Sequence, residues 1–177
     1  RLIRRQRQMC IRDRPYNLHI FVNSVDFIAK VIDTLKLAPE AVKVVCSTSG
    51  ESRQENQRKL GKDYPIGQPS DPAKKINFYT STCFEGCDIF DPDGVTFIVS
   101  DGRKAHTLLD ISTLFTQICG RIRDSRYKAQ IVHVYSTTKY SKAVTLDEFV
   151  AATQRTLADA ESYAAEINSL SEATRVK

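Results

Sequence analysis

Short continuous apolar runs alternate along this chain with longer amphipathic stretches. The runs are Leu18 to Asn23 (LHIFVN), Val42 to Cys46 (VKVVC), Ile76 to Thr80 (INFYT), Val95 to Ser100 (VTFIVS) and Gln130 to Tyr135 (QIVHVY). Each has the length and the β-branched or aromatic bias of a buried strand. Between the first two, Val25, Ile28, Ala29, Ile32, Leu35 and Leu37 recur at helical spacing behind Ser24, a candidate N-cap, and Pro39 closes the stretch. Glu51 to Leu60 is charged and predicts an exposed helix. Residues 61–75 hold three Pro and two Gly and predict a loop, and Asp91-Pro92-Asp93-Gly94 predicts a turn. Leu108, Leu109, Ile111, Leu114, Phe115, Ile118 and Ile122 predict a helix over 107–122. Strands apolar on both faces, alternating with helices, define an α/β fold with a mainly parallel sheet and helices on both faces. Function in such sheets gathers beyond the carboxyl ends of the strands, where Asn23, Ser47, Thr80 and Asp101 fall.

After a linker at 136–144, Thr145-Leu146-Asp147-Glu148 reads as a capping box. It opens an Ala-rich helix over about 146–170 whose apolar positions (Phe149, Val150, Leu157, Ala160, Ala164, Ile167) are sparse. The expected organisation is therefore one α/β domain over 15–136 and a linker with a C-terminal helical extension over 137–177.

The chain's 177 residues carry a formal charge of +5, a balance that ordinarily points to an anionic partner. All of that excess comes from residues 1–14, RLIRRQRQMCIRDR. From Arg4 onward they resemble the translated read-through of a transposon-based sequencing adapter, so they are set apart from the fold as an expected artefact. Without those six Arg and one Asp, twenty basic residues balance twenty acidic ones. The basic balance then says nothing about partners, and the remainder is expected to be a fragment cut upstream of Pro15. No apolar run is long enough to cross a membrane. Cys46, Cys83, Cys87 and Cys119 have no CxxC spacing; zinc ligation by Cys83 and Cys87 and plain packing as reduced thiols are the two readings. His19 and His133 lie in strands and read as core or sheet-edge residues; no Ser-His-Asp or metal-ligand spacing is present.

Two segments carry chemistry. Thr80-Ser81-Thr82-Cys83-Phe84-Glu85-Gly86-Cys87-Asp88 follows the third strand. Gln117-Ile118-Cys119-Gly120-Arg121-Ile122-Arg123-Asp124 ends the last predicted helix of the domain. Arginines at such a position suit the forked recognition of a polyphosphate, and a cationic helix end also suits the helix dipole. Together with Ile20-Phe21-Val22-Asn23-Ser24, these segments resemble the second RecA-like domain of superfamily 2 helicases. That family places a small polar residue after the opening strand, a Thr with a later Gly-x-Asp, and a Gln-x-x-Gly-Arg signature, in this order. The variants here are closer to phage, plasmid or viral replication helicases, including the origin-binding kind, than to RNA-remodelling DEAD-box proteins.

The resemblance implies a RecA-like sheet and the C-terminal half of an ATP-dependent motor. Arg121 and Arg123 would reach the ATP γ-phosphate, with Arg123 favoured as the finger. The family spaces its final arginine three residues after the first, and here that position is Asp124. Gly86, Asp88, Gln117 and Gly120 would belong to the ATP side. Asn23, Ser24, Ser47, Thr48, Thr80 and Ser81 would hold a nucleic-acid backbone, although hydroxyls at such positions also cap local backbone groups. ATP and Mg2+ would be bound mainly by an upstream RecA-like domain, since no Gly-x-x-x-x-Gly-Lys-Ser/Thr loop occurs here. The implied partners are single-stranded DNA and that upstream domain, without a membrane, in the cytoplasm of a bacterial or phage-infected cell. A non-catalytic nucleic-acid or protein-binding module of the same fold is the alternative. An unrelated Rossmann-like enzyme would need a glycine-rich loop after the first strand, and Asn23-Ser24-Val25 has none.

Overall fold

The five apolar runs assemble into one sheet. In the computed structural model, which describes residues 14–136 and 144–175, the strands are β1 (Asn17–Phe21), β2 (Val42–Val45), β3 (Ile76–Tyr79), β4 (Ile89–Phe90), β5 (Gly94–Asp101), β6 (Ile122–Arg123) and β7 (Ile131–Ser136). The main sheet has the order β2-β3-β1-β5-β7 with every neighbouring pair parallel. β4 and β6 form a second, two-stranded parallel ladder. The chain divides into two compact units, Arg1–Thr137 and Thr138–Lys177. The adapter-like segment, apart from Arg14, and linker residues 137–143 lie outside the described residues.

Helix α1 (Val25–Leu35) starts where Ser24 accepts a hydrogen bond from the Phe27 amide at 3.3 Å. It stops at Lys36, which takes a left-handed conformation, while the Leu37 amide reaches back to the Ile32 carbonyl at 3.1 Å. With α2 (Gly50–Leu60), α1 covers one sheet face, burying Ile28, Ile32 and Leu60 against Val42, Val44, Ile76 and Phe78. The opposite face packs Phe21, Val45, Tyr79 and Ile98 under Cys83, Phe84, Ile89 and Ile118. Both faces are therefore occupied over β2, β3, β1 and β5, as their apolar residues require. The edge strand β7 departs from the buried strand expected at 130–135: Val132, Val134 and Tyr135 are exposed, because only one neighbour flanks it.

The helix expected over 107–122 is broken. A 3-10 turn at Ala105–Thr107 is followed by a π turn at Ile111–Phe115, in which the Phe115 amide bonds to the Asp110 carbonyl at 2.9 Å. Only α3 (Thr116–Cys119) is α-helical, and Gly120 ends it. Leu109, Leu114, Phe115 and Ile118 still face the core. Ile122 is also buried, but as a strand residue paired with Ile89. Leu109, Leu114, Phe115, Ile118 and Ile122 are thus turned inward by a turn, a short helix and a strand in succession, whereas Leu108 is left about half exposed.

In the second unit, α4 (Leu146–Arg175) begins with the expected reciprocal cap. The Thr145 amide donates to Glu148 at 2.8 Å, and the Glu148 amide donates to the Thr145 hydroxyl at 3.3 Å.

Candidate functional site

The Gly-x-Asp and Gln-x-x-Gly-Arg segments meet through the β4–β6 ladder. Ile89 pairs with Ile122 and Phe90 with Arg123, and the Ile89 amide bonds to the Arg121 carbonyl at 2.9 Å. This register sets Asp88 beside the arginines. Arg123 Nε donates to Asp88 Oδ1 at 3.0 Å, both side chains being about half exposed. Its terminal nitrogens have no partner among the described residues, so the planar end of the fork is free.

Arg121 is committed differently. Its Nε donates to the Gln117 carbonyl at 2.9 Å, one terminal nitrogen to the Gln117 side-chain oxygen at 3.0 Å and the other to the Cys87 carbonyl at 3.2 Å. Gln117 thus orients Arg121, and Arg121 ties α3 to the turn before Asp88. Gly86 makes that turn with φ +68°, a left-handed conformation that favours glycine. Gly120 supplies the exposed step from α3 into β6. Asp124 is itself left-handed, with φ +57°. This reverses the backbone directly after Arg123 at the position where the family pattern has its final arginine. Arg126 ion-pairs with Asp93.

The hydroxyl-bearing candidates occupy a separate region, at the carboxyl ends of β1, β2 and β3. Asn23 bridges two loops there: its amide nitrogen donates to the His106 carbonyl at 2.8 Å, and its oxygen accepts from the Ser81 amide at 3.4 Å. Ser81 and Thr48 are exposed. Ser24 is buried and its hydroxyl caps α1. Thr80 is buried too, 3.4 Å from the Thr82 hydroxyl. The Ser47 hydroxyl lies 3.0 Å from that of Ser49. Ser81, Thr48 and the Asn23 amide therefore present the accessible polar groups of this edge. The arginine centre lies toward the other end of the sheet. Ile122 reaches Gly94 at the start of β5, where a Cβ would stand 3.0 Å from both Ile122 and His19, and Ser125 bonds to the Gly94 carbonyl at 2.6 Å.

Beneath the arginine centre runs a buried polar chain that spacing along the sequence does not reveal. His19 is wholly buried in β1; its Nε2 lies 2.8 Å from Asp91 and its Nδ1 3.1 Å from the Tyr79 hydroxyl. The ionised carboxylate can only accept, so Nε2 donates to it and Nδ1 accepts from Tyr79. Asp91 also receives the Asn17 amide at 3.0 Å and the Asp93 backbone amide at 2.9 Å. Burial acts to raise the Asp91 pKa, but the bonds from His19, Asn17 and Asp93 outweigh it and hold the carboxyl below its ordinary value. Burial pushes the Tyr79 hydroxyl far up, keeping it a donor. His19, Asn77, Thr96 and Lys43 form one buried polar row across the sheet. Lys43 donates to the carbonyls of Pro69 and Asp71, and Asn77 to those of Leu18 and Lys74. Among the described residues no buried side-chain nitrogen or oxygen lacks a partner.

The four described cysteines are free thiols. Burial, with Cys87 beside it, pushes Cys83 up to about 12, and burial also raises Cys46 and Cys119. Cys46 and Cys83 are buried packing groups, and Cys87 and Cys119 are half-buried against the same cores. Among the described residues no helix is long and apolar enough to cross a membrane.

No family model, curated protein or solved structure matches this chain.

Proposed function

We propose that residues 15–136 are the second motor domain of an ATP-dependent nucleic-acid helicase acting on single-stranded DNA in a bacterial or phage-infected cell. The observation that carries this reading is the β4–β6 ladder. It gathers Gly86, Asp88, Gln117, Gly120, Arg121 and Arg123 into one surface and leaves the end of one arginine fork free. In this reading Arg123 is the finger that offsets charge on the transferring phosphoryl group. Arg121, held by Gln117 and the Cys87 carbonyl, is a positioning residue. ATP and Mg2+ would be held mainly by an upstream RecA-like domain, with Asp88 and the free end of Arg123 turned toward the nucleotide. Asn23, Ser81 and Thr48 would hold the strand backbone at the carboxyl edge. Nucleotide site and strand track would thus lie toward opposite ends of one sheet.

The test restores the upstream domain and replaces Arg123 with Ala. ATP turnover should fall by about 10³-fold or more with ATP affinity largely kept, the magnitude associated with arginine fingers. Turnover within a few-fold of the parent would overturn the assignment. An upstream reading frame without a phosphate loop would favour the non-catalytic binding module instead.

A further inference from the structure

Beyond the Asn23 and Ser81 edge lies a groove of about 530 Å3 between α1 and the turn that follows β5. Phe27, Val31 and Leu35 supply apolar walls, and Lys30, Arg103 and Lys104 stand around it. The groove is tied to the proposed track through Asn23. Asn23, which binds the Ser81 amide, also holds the His106 carbonyl of the same turn. That turn is closed by its own bonds: the Thr107 hydroxyl accepts from the Asp101 amide at 2.9 Å, and the Lys104 amide donates to the Asp101 carbonyl at 2.8 Å.

The charges are not balanced within the groove. Asp26 lies 3.3 Å from Lys59. Asp101 accepts from the Arg103 amide at 3.1 Å, from Arg103 Nε at 3.2 Å and from the Ser136 hydroxyl at 2.8 Å. Both acids are therefore neutralised by their neighbours, whereas the ammonium groups of Lys30 and Lys104 have no partner among the described residues. An apolar wall under free cations matches a polyanion that also carries flat apolar faces.

We infer that a nucleic-acid strand held at Asn23 and Ser81 continues into this groove, where Lys30 and Lys104 take its phosphates and the apolar wall takes a base or sugar face. This rests on the proposed function but adds a contact region outside the family-like motifs. It lengthens the track along α1.

The experiment titrates the full chain and its Lys30→Ala/Lys104→Ala variant with a labelled oligothymidylate over a salt series. Each phosphate neutralised on a single strand contributes about 0.7 to the log–log salt slope, so the variant's slope should be shallower by about 1.4 and its affinity roughly 25-fold lower at 0.1 M salt. Lysine acetylation should be blocked at both positions by bound oligothymidylate. A Lys62→Ala/Lys128→Ala variant removes the same charge from outside the groove and should change little. An equal loss in that control overturns the groove. So does an unchanged Lys30/Lys104 variant whose parent loses binding on Asn23→Ala; that result leaves the motor reading intact. Protection of these lysines by polyglutamate but not by oligothymidylate assigns the groove to an acidic protein segment and also overturns the inference. A parent chain that binds no single strand at low salt overturns both this and the strand-binding reading beneath it.

Discussion

Replacing Asp91 with Ala removes the acceptor on which three donors converge: His19 Nε2 at 2.8 Å, the Asn17 amide at 3.0 Å and the Asp93 amide at 2.9 Å. Asn17 and Asp93 are only half-buried, so water can replace the carboxylate for them. His19 has no such recourse, because its side chain is 0% exposed and that of Asp91 only 5%. An orphaned buried donor costs about 1–3 kcal/mol, and breaking a buried charge-assisted pair costs about 3–5 kcal/mol. We expect a loss of about 3 kcal/mol, a large share of the roughly 5–15 kcal/mol that holds a domain together. In urea, with a slope of about 1.5 kcal/mol per molar, the unfolding midpoint should fall by about 2 M. Asp93→Ala, which removes only a partly exposed ion pair with Arg126 and leaves the Asp93 backbone amide in place, should stay within about 1 kcal/mol. The pH dependence adds an independent check. The folded Asp91 pKa is depressed below the unfolded value of about 3.9, so its contribution is complete above that value and is lost as pH falls through the folded one. The stability gap between the parent and Asp91→Asn should be present at neutral pH and close in acid, as pH falls through the folded carboxyl value. A midpoint shift under about 0.5 M, or a gap that persists at the lowest pH where the parent folds, would refute the reasoning.

Gly94→Ala would set a methyl 3.0 Å from both His19 and Ile122; calorimetry should register about 1–3 kcal/mol of destabilisation, and an unchanged melting temperature would mean that the contact relaxes freely. Ser24→Ala removes the cap of α1 and should cost about 1 kcal/mol by urea titration, with no change in the sheet's amide-exchange pattern. Arg123→Ala breaks only a half-exposed pair with Asp88, so the urea midpoint of the chain should move by less than the equivalent of about 1 kcal/mol. A larger drop would mark Arg123 as structural. Glu148→Ala opens the reciprocal cap of α4 and should lower helicity of the second unit, read by circular dichroism on the excised 144–177 segment against its parent.

The two regions proposed for ATP and for the strand are joined by the sheet itself. β1 carries Asn23 just beyond its carboxyl end and His19 at its centre, and His19 grips Asp91, three residues after Asp88. Asp91 also anchors the turn from which β5 departs. The buried chain thus fixes β4, and with it Asp88 and Arg123, to the same strand that presents Asn23. The Asp91→Ala variant should for this reason loosen the arginine centre before the rest of the domain, with amide exchange fastest at β4 and β6.

Much of the architecture was legible in the residue pattern. A parallel sheet covered on both faces needs strands apolar on both sides, and runs such as VKVVC and VTFIVS have no other economical use. Ser24 and the Thr145–Glu148 box marked helix starts because caps act within three residues. The arginine and Gly-x-Asp segments stood out by residue type and order alone, and the structure brings the two together at the β4–β6 ladder. Tertiary structure alone decided the rest. Asp88 and Arg123 lie 35 positions apart and meet only because two two-residue strands pair, and strands that short have no periodicity to read. The 107–122 stretch turned Leu109, Leu114, Phe115, Ile118 and Ile122 inward but left Leu108 exposed, and it divided among a π turn, α3 and β6, since Ile122 could be buried equally well against Ile89. His19 was visible only as a strand residue. Its partners come from β3 and from the turn before β5, 60 and 72 positions away. The sequence by itself determined which groups are available and which segments are strands or caps, because those follow from local sterics and periodicity. Which arginine is spent on the fold and which keeps a free fork was decided only by long-range pairing in three dimensions.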